Sequence, residues 1–325
     1  MTPIIQTWYD SVLQQMAAES YLDGWHLLSL EDRIGRLELG SNNFVVPENQ
    51  PGAALLPGTT RMTAAQAEDF LTRYEIVSHL PNTATGFSGT LMRNLETGAY
   101  TLSFRSTEYF PPEQGGDRTR DFATNFEIGL DGFAFGQIAS MESYYTHLQI
   151  GESYNPVSGQ WESDPALDDF KNRFGFGGTG GELNVSGYSL SGSLASVFTY
   201  LHRDQVNNAL VVNGTGLGDI GQGFLRGMVA TLQSRLAAAG INVSDPSNEN
   251  IYAIPNPDLP TAYQLIVAGI KLEYDTSYRL FSSTEGSWVD NKITQFFGEG
   301  AHNDSQIVAN TGVHVAATKI FIEDQ

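Results

Sequence analysis

A short strand that runs into a helix through one serine turn is the feature that most constrains how this chain folds. Residues Glu182–Ser186 are predicted to form a strand, and Leu190–Leu201 a helix that follows directly. Only Gly187, Tyr188 and Ser189 separate the two elements. A chain that turns from strand to helix this sharply needs a strained backbone at the turn and small residues around it. The pattern therefore predicts Ser189 on a tight turn with an exposed hydroxyl.

Strands alternate with helices along the rest of the chain. This alternation predicts an α/β fold with a mostly parallel central sheet and helices on both faces. The 325 residues are expected to form a single domain, with residues 1–80 as N-terminal helical and loop elements packed on it. The predicted elements are helices at 2–20, Ala64–Tyr74 (with Thr63 as N-cap), Phe133–Leu148, Leu225–Ala239 and Val313–Phe321; a hairpin of Phe87–Arg93 and Tyr100–Arg105; and strands at Asn208–Asn213 and Ile251–Ile254.

The charge balance excludes whole classes of partner. The chain carries 17 Lys and Arg against 37 Asp and Glu, for a formal net charge of -20. Such a polyanion repels nucleic acid, whose phosphates require basic side chains, and gains nothing from anionic membrane surfaces. No run of 18 apolar residues occurs, so no transmembrane segment is predicted.

Cysteine is absent, and this excludes disulfides, thiol catalysis and cysteine-ligated metals. Met1–Tyr21 has no basic segment followed by an apolar one and is not predicted to be a signal peptide. The acidity and the lack of thiols favour a secreted, extracellular protein exported without an N-terminal signal. A cytoplasmic location is the alternative.

The predicted turn suits nucleophilic chemistry. Gly187 supplies the small residue that is needed two positions before Ser189, and Ser191 stands two positions after it, where glycine is usual. The turn would expose the Ser189 hydroxyl and direct the Leu190 N–H into an oxyanion hole at the positive end of the helix. Ser189 is therefore the candidate nucleophile, and Tyr188 beside it is a candidate substrate contact.

Three segments resemble the fungal-type (class 3) lipases, over roughly residues 60–305. Val185–Ala195 is similar to the nucleophile motif of that family, Leu102–Thr107 to its strand ending in Phe-Arg-Gly-Thr, and Val212–Gly218 to its Phe-Gly-x-Pro-x-x-Gly turn. Ser106 and Ser191 stand where the family has glycine. The resemblance implies the α/β-hydrolase fold and an esterase or lipase activity on carboxylic esters, with lipid esters as substrate.

A serine nucleophile needs a histidine base, and His202, His302 and His314 are the histidines that follow Ser189. His202 lies on the helix about 13 residues, at roughly 1.5 Å each, beyond the nucleophile and cannot reach it. His302 lies in the glycine-flanked segment Gly298–Asp304 and is the preferred base; His314 is the alternative.

The histidine in turn needs a carboxylate that holds its tautomer. Asp258 follows the predicted strand Ile251–Ile254 and resembles the family's Asp-Pro-Val-Pro segment. It is the preferred acid of a Ser-His-Asp triad. Asp219, after the preceding strand, is the alternative.

The segment after the predicted hairpin supplies the remaining candidates. The resemblance assigns the second oxyanion donor to Thr107. Tyr109 and Phe110 follow, and they would either line an acyl pocket or belong to a flap over the site.

No cofactor and no catalytic metal are predicted, because paired metal-ligand spacings are absent. The acidity leaves a structural calcium ion open. Phospholipase A1, polyester depolymerase and peptidase activities on the same fold remain alternatives, as does a non-catalytic descendant that binds lipid or protein.

Overall fold

A mixed sheet of seven strands organises the part of the chain that the computed structural model describes, namely residues 3–40, 62–106, 134–202, 204–214, 292–299 and 318–323. A separate hairpin contributes two further strands. In chain order the strands are β1 (Tyr74–Leu80), β2 (Gly89–Asn94), β3 (Tyr100–Phe104), β4 (Glu152–Asn155), β5 (Gln160–Ser163), β6 (Leu183–Tyr188), β7 (Val206–Val212), β8 (Ile293–Glu299) and β9 (Thr318–Glu323).

The order of strands across the large sheet is β1-β2-β3-β6-β7-β8-β9. The first three strands form an antiparallel meander, and every pairing from β3 to β9 is parallel. The hairpin of β4 and β5 lies outside this sheet. A sheet dominated by parallel strands and covered by helices confirms the predicted α/β class.

Six α-helices lie within the described residues: α1 (Pro3–Ala18), α2 (Leu30–Leu39), α3 (Ala64–Arg73), α4 (Phe135–Ile150), α5 (Asp168–Phe174) and α6 (Leu190–Leu201). The predicted N-cap of α3 is confirmed, because the Thr63 side chain accepts from the Gln66 N–H while Gln66 accepts from the Thr63 N–H. None of these helices has the length and hydropathy needed to cross a membrane.

The two faces of the sheet bury two separate apolar cores. Side chains alternate along β1 and β2, so that Ile76 and Met92 face one side while Val77 and Leu91 face the other. The first side packs against α1, α2 and α3, and the second against α4, α5 and α6. Both faces are therefore covered by helices, as the sequence predicted.

The connection β6–α6–β7 determines where chemistry can take place. β6 and β7 are parallel neighbours and α6 packs on both, so the turn that holds Ser189 lies at the carboxyl edge of the sheet. The carboxyl ends of β3, β7 and β8 reach the same edge. In open α/β sheets this edge is where ligands bind.

Two predicted elements require correction. The helix expected at Val313–Phe321 is wrong over its second half, because Thr318–Glu323 is strand β9. The segment Thr-Lys-Ile-Phe-Ile-Glu is rich in β-branched and aromatic residues and pairs in parallel with β8. Likewise, residues 74–80 are a sheet strand rather than part of a helical and loop region.

Other predicted elements shift or lie outside the description. The strand β8 extends to Glu299, so the segment predicted as a loop from Gly298 begins in a strand. The predicted helix Leu225–Ala239 and strand Ile251–Ile254 lie outside the described residues. Within the described sheet, β7 is hydrogen-bonded to β6 along one edge and to β8 along the other.

Candidate active site

Ser189 has a backbone conformation that L-amino acids rarely adopt. Its φ is 52° and its ψ is −119°, between Tyr188, the last residue of β6, and Leu190, the first of α6. Among the described residues, Asn213 is the other non-glycine residue with positive φ. A conformation of this kind costs on the order of 1–3 kcal/mol and persists where the surroundings determine it. The strained serine turn predicted from the sequence is present.

Three hydrogen-bonded links hold Ser189 in this conformation. Its N–H donates to the Val212 carbonyl of β7 at 3.0 Å, and its carbonyl accepts from the Gly192 N–H at 3.0 Å. The Ser191 hydroxyl accepts from the Tyr188 N–H and donates to the Tyr188 carbonyl, both at 2.9 Å. Backbone groups on both sides of the serine are thus bonded, which fixes the direction of its side chain.

Close packing around the turn excludes side chains at two glycines. A Cβ atom on Gly187 would overlap the Ser191 carbonyl oxygen, and one on Gly192 would lie 2.5 Å from the Gly214 Cα atom. Gly187 therefore meets the requirement predicted for it. Ser191, which departs from the family's glycine, is buried and uses its hydroxyl to bridge Tyr188.

Leu190 and Tyr188 flank the candidate nucleophile. The Leu190 side chain is buried in the core, while its N–H belongs to the first turn of α6, where helical N–H groups have no partner within the helix. That group is placed to stabilise negative charge, and the positive end of the helix dipole supports it. Tyr188 is half-buried at the end of β6.

A buried carboxylate lies next to this edge, at the end of α1. Glu19 is fully buried, and its two oxygens accept from the Ser106 N–H at 3.0 Å and the Ser106 hydroxyl at 2.7 Å. The Gln15 amide donates to it at 2.8 Å. Ser106 stands where the class 3 lipases that the sequence resembles have glycine, and its hydroxyl, like that of Ser191, has a partner.

The same network continues beneath the strands. Gln15 donates to the Phe104 carbonyl at 2.8 Å and accepts from the Ser186 hydroxyl at 2.7 Å. Since Ser186 donates there, the Ser103 hydroxyl donates to Ser186, at 2.7 Å. We call this set the Glu19 cluster; its members are Gln15, Glu19, Ser103, Ser106 and Ser186.

Arg105 ties the end of α1 to β3 independently of Glu19. Its Nη2 donates to the Ser20 carbonyl at 2.6 Å, and its guanidinium lies 5.0 Å from the centre of the Tyr21 ring.

Burial raises the pKa of Glu19 to about 7, since it outweighs the hydrogen bonds from Ser106 and Gln15 and the nearby charge of Arg105.

The structure brings Tyr188, Ser189 and Leu190 together at one turn. The other predicted site residues and their alternatives lie outside the described residues: Thr107, Tyr109, Phe110, Asp219, Asp258, His302 and His314. His202 lies at the far end of α6, with Nε2 2.9 Å from both carboxylate oxygens of Glu142. This agrees with its exclusion as the base.

Sequence reasoning missed the Glu19 cluster. Gln15 on α1 and Glu19, the residue after its end, are four residues apart and face the sheet, among the buried side chains Leu13, Ala17 and Ala18. Their position within an apolar stripe is the signal that could have identified them. The described residues contain no group of three or more His, Asp or Glu side chains placed to hold a metal ion.

Comparison with solved structures gives a distant likeness, whereas the sequence comparisons give none. No model of a protein family matches the sequence, and no curated protein matches it. Among solved structures, the chain is similar to the crystal structure of the Lip2 lipase from Yarrowia lipolytica, with a TM-score of 0.39 and 14% identity over 99% of this chain and 80% of that one.

The packing at Gly187 predicts a specific intolerance. Gly187→Ala should lower the free energy of unfolding by several kcal/mol and disturb the turn, because the new methyl group meets backbone atoms that cannot rotate away. Urea unfolding measures the change. Gly35→Ala is the matched control, because Gly35 lies in helix α2 and a Cβ atom there would have no other atom within 4 Å. This substitution should be neutral or should stabilise the protein by about 0.5–1 kcal/mol. A Gly187→Ala protein as stable as wild type would contradict the packing described.

The raised pKa of Glu19 predicts that its replacement acts on stability in a pH-dependent way. The stability linked to the protonated carboxyl is fully present below its unfolded pKa of 4.5 and is lost as pH rises through about 7. Glu19→Gln cannot ionise, so its unfolding free energy relative to wild type should rise by about 3 kcal/mol between pH 4 and pH 8. Urea unfolding at both pH values measures this difference.

An exposed carboxyl provides the control for that measurement. Hydrogen bonds from Asn155 and Ser158 lower the pKa of Glu162. Glu162→Gln should therefore lose stability relative to wild type as pH rises, the opposite sign. A Glu19→Gln difference that is constant with pH would show that Glu19 is not buried as described.

Proposed function

We propose that this protein is a serine hydrolase of the α/β-hydrolase fold that cleaves carboxylic esters, with Ser189 as the nucleophile. The observation that carries the proposal is the strained conformation of Ser189, held between a parallel strand and the helix that follows it. In that fold the nucleophile elbow also places a strained serine between a strand and the helix that follows it, and this agreement supports the proposal. Lipid esters are the proposed substrates because of the family that the sequence motifs resemble.

His302 is the proposed general base. It follows Glu299, the last residue of β8, by three residues. β8 lies two strands from β6, roughly 10 Å at about 4.8 Å per strand, and at the same edge of the sheet it continues three residues beyond the level of Tyr188. An imidazole that follows β8 closely is within a short loop's reach of the serine, which supports His302.

The proposed reaction has two halves. The Ser189 Oγ attacks the ester carbonyl carbon while His302 takes its proton, and the N–H groups of Leu190 and Thr107 stabilise the oxyanion. The tetrahedral intermediate collapses, and the leaving alkoxide takes the proton from the imidazolium. Water then attacks the acyl-enzyme in the same way and releases the acid. Asp258 is proposed to hold the imidazolium.

Aromatic side chains are proposed to bind the acyl chain. Tyr188 adjoins the nucleophile in the described structure, and Tyr109 and Phe110 follow the proposed oxyanion residue Thr107 in sequence. The chemistry requires no cofactor. The predicted extracellular location is not tested by the described structure and stays a prediction.

Removal of the nucleophile should abolish turnover without unfolding the protein. Ser189→Ala is expected to lower kcat by about 10⁴–10⁶, with an unfolding free energy equal to or above that of wild type. Hydrolysis of p-nitrophenyl esters from acetate to palmitate measures activity and acyl preference. Ser193→Ala is the matched control, because the Ser193 hydroxyl is buried and bonded to the Leu190 carbonyl at 2.8 Å. Comparable activity in Ser189→Ala and wild type would refute the proposal.

Loss of the base should have an equally large effect. His302→Ala is expected to abolish turnover, whereas His314→Ala and His202→Ala should retain it. The acidic limb of the kcat/KM profile should have a pKa of about 6–7, that of an imidazole. A flat profile from pH 5 to 8, limited by chemistry, would remove histidine from the mechanism, and an inactive His314→Ala would transfer the role to His314.

A further inference from the structure

Ser106 follows the end of β3, the strand next to the one that leads into the nucleophile, by two residues. β3 and β6 are parallel, with Ser103 opposite Ser186 and Phe104 opposite Gly187. When this register is continued by two residues, Ser106 stands opposite Ser189. It is buried and ends the described segment that leads into Thr107. The backbone at Ser106 therefore borders the place where a substrate carbonyl would meet Ser189.

Glu19 is the residue that holds Ser106 there. It accepts the Ser106 N–H on one oxygen and the Ser106 hydroxyl on the other, at 3.0 and 2.7 Å. The first bond restrains the backbone of Ser106 and the second restrains its side-chain rotamer. A carboxyl group bonded to both the backbone and the side chain of one residue leaves that residue little freedom to move.

The carboxylate is itself anchored to the nucleophile's strand. Gln15 donates to Glu19 and to the Phe104 carbonyl, and it accepts from Ser186 on β6, three residues before Ser189. One connected set of hydrogen bonds thus joins the carboxyl ends of β3 and β6. Any shift of Ser106 relative to the serine turn would break part of it.

We propose that Glu19 is a positioning residue for the reaction: through its two bonds to Ser106 it sets the backbone beside Ser189 that leads into the oxyanion donor at Thr107. This inference rests on the proposed function. It assigns a catalytic consequence to a side chain that lies outside the triad and the oxyanion hole and that sequence reasoning did not identify.

The docking of α1 does not depend on Glu19 alone, and this makes the inference testable. Arg105 binds the Ser20 carbonyl, and Gln15 binds Phe104 and Ser186, so both contacts remain when Glu19 is replaced. Loss of Glu19 should therefore release Ser106 while α1 stays in place. The effect should fall on kcat rather than on KM, because misplacement of an oxyanion donor weakens the transition state more than the bound substrate.

The experiment compares kcat and KM for p-nitrophenyl butyrate in the wild type and five variants, each assayed well below its melting temperature. Glu19→Leu should lower kcat by about 10- to 100-fold with KM changed less than about threefold. Glu19→Gln keeps an acceptor for the Ser106 N–H and should remain within about threefold of wild type. Ser106→Ala should lower kcat by a smaller factor, and adding it to Glu19→Leu should cause little further loss, because both remove one contact.

Glu142→Leu is the matched control. Glu142 is as buried as Glu19 and is bonded to His202, roughly 18 Å along α6 from the turn. It should lower the melting temperature but leave kcat within about twofold of wild type. An equal loss of kcat in Glu142→Leu would show that destabilisation alone explains the effect and would overturn the inference.

The outcomes separate the inference from the proposed function. If Ser189→Ala abolishes wild-type turnover but a folded Glu19→Leu variant has a normal kcat, the inference is overturned and the proposed function is not. A wild type without Ser189-dependent turnover would overturn the proposed function and the inference with it. If Glu19→Leu does not fold, Ser106→Ala decides: unchanged kcat in that variant overturns the inference, and a kcat loss with unchanged KM supports it.

Discussion

The reversal of the chain between β6 and α6 within one residue is the constraint on which the rest of the site depends. Ser189 can adopt its strained conformation because the Val212 carbonyl takes its N–H and the Gly192 N–H reaches its carbonyl. Both partners require α6 and β7 to lie close to the turn. The glycines at 187 and 192 permit that approach, since a methyl group at either position would meet backbone atoms. The close packing of α6 and β7 at the turn and the strained backbone of Ser189 therefore depend on each other.

Polar side chains within a core are costly unless they are fully paired, and the Glu19 cluster shows how this chain meets that condition. Glu19, Gln15 and Ser186 exchange hydrogen bonds among themselves and with β3. A paired polar set of this kind favours one arrangement of α1 over the sheet, because any displacement would leave buried groups without partners. An apolar interface at the same place would tolerate small slips of the helix.

The parts of the fold that the sequence predicts well are those with strong local signals. The bounds of α6 agree with the prediction, and Thr63 caps α3, because helical periodicity and capping chemistry act within a few residues. The strand β9 was mistaken for a helix, since its place in the sheet depends on pairing with β8 and not on local pattern. The candidate nucleophile follows the same rule: the turn is local and was predicted, whereas Glu19 meets Ser106 across 87 residues.

An aromatic cluster beneath the site explains why the strain at Ser189 is not relieved by a small movement of α6. Phe198 packs on Phe104 of β3 at 5.8 Å between ring centres and on Tyr145 of α4 at 4.8 Å. Rotation of α6 would disrupt these contacts together, and aromatic pairs contribute about 0.5–1.5 kcal/mol each beyond the area they bury. The two pairs amount to about 1–3 kcal/mol, comparable with the cost expected for the strained backbone, so they help to hold the helix where the serine turn needs it.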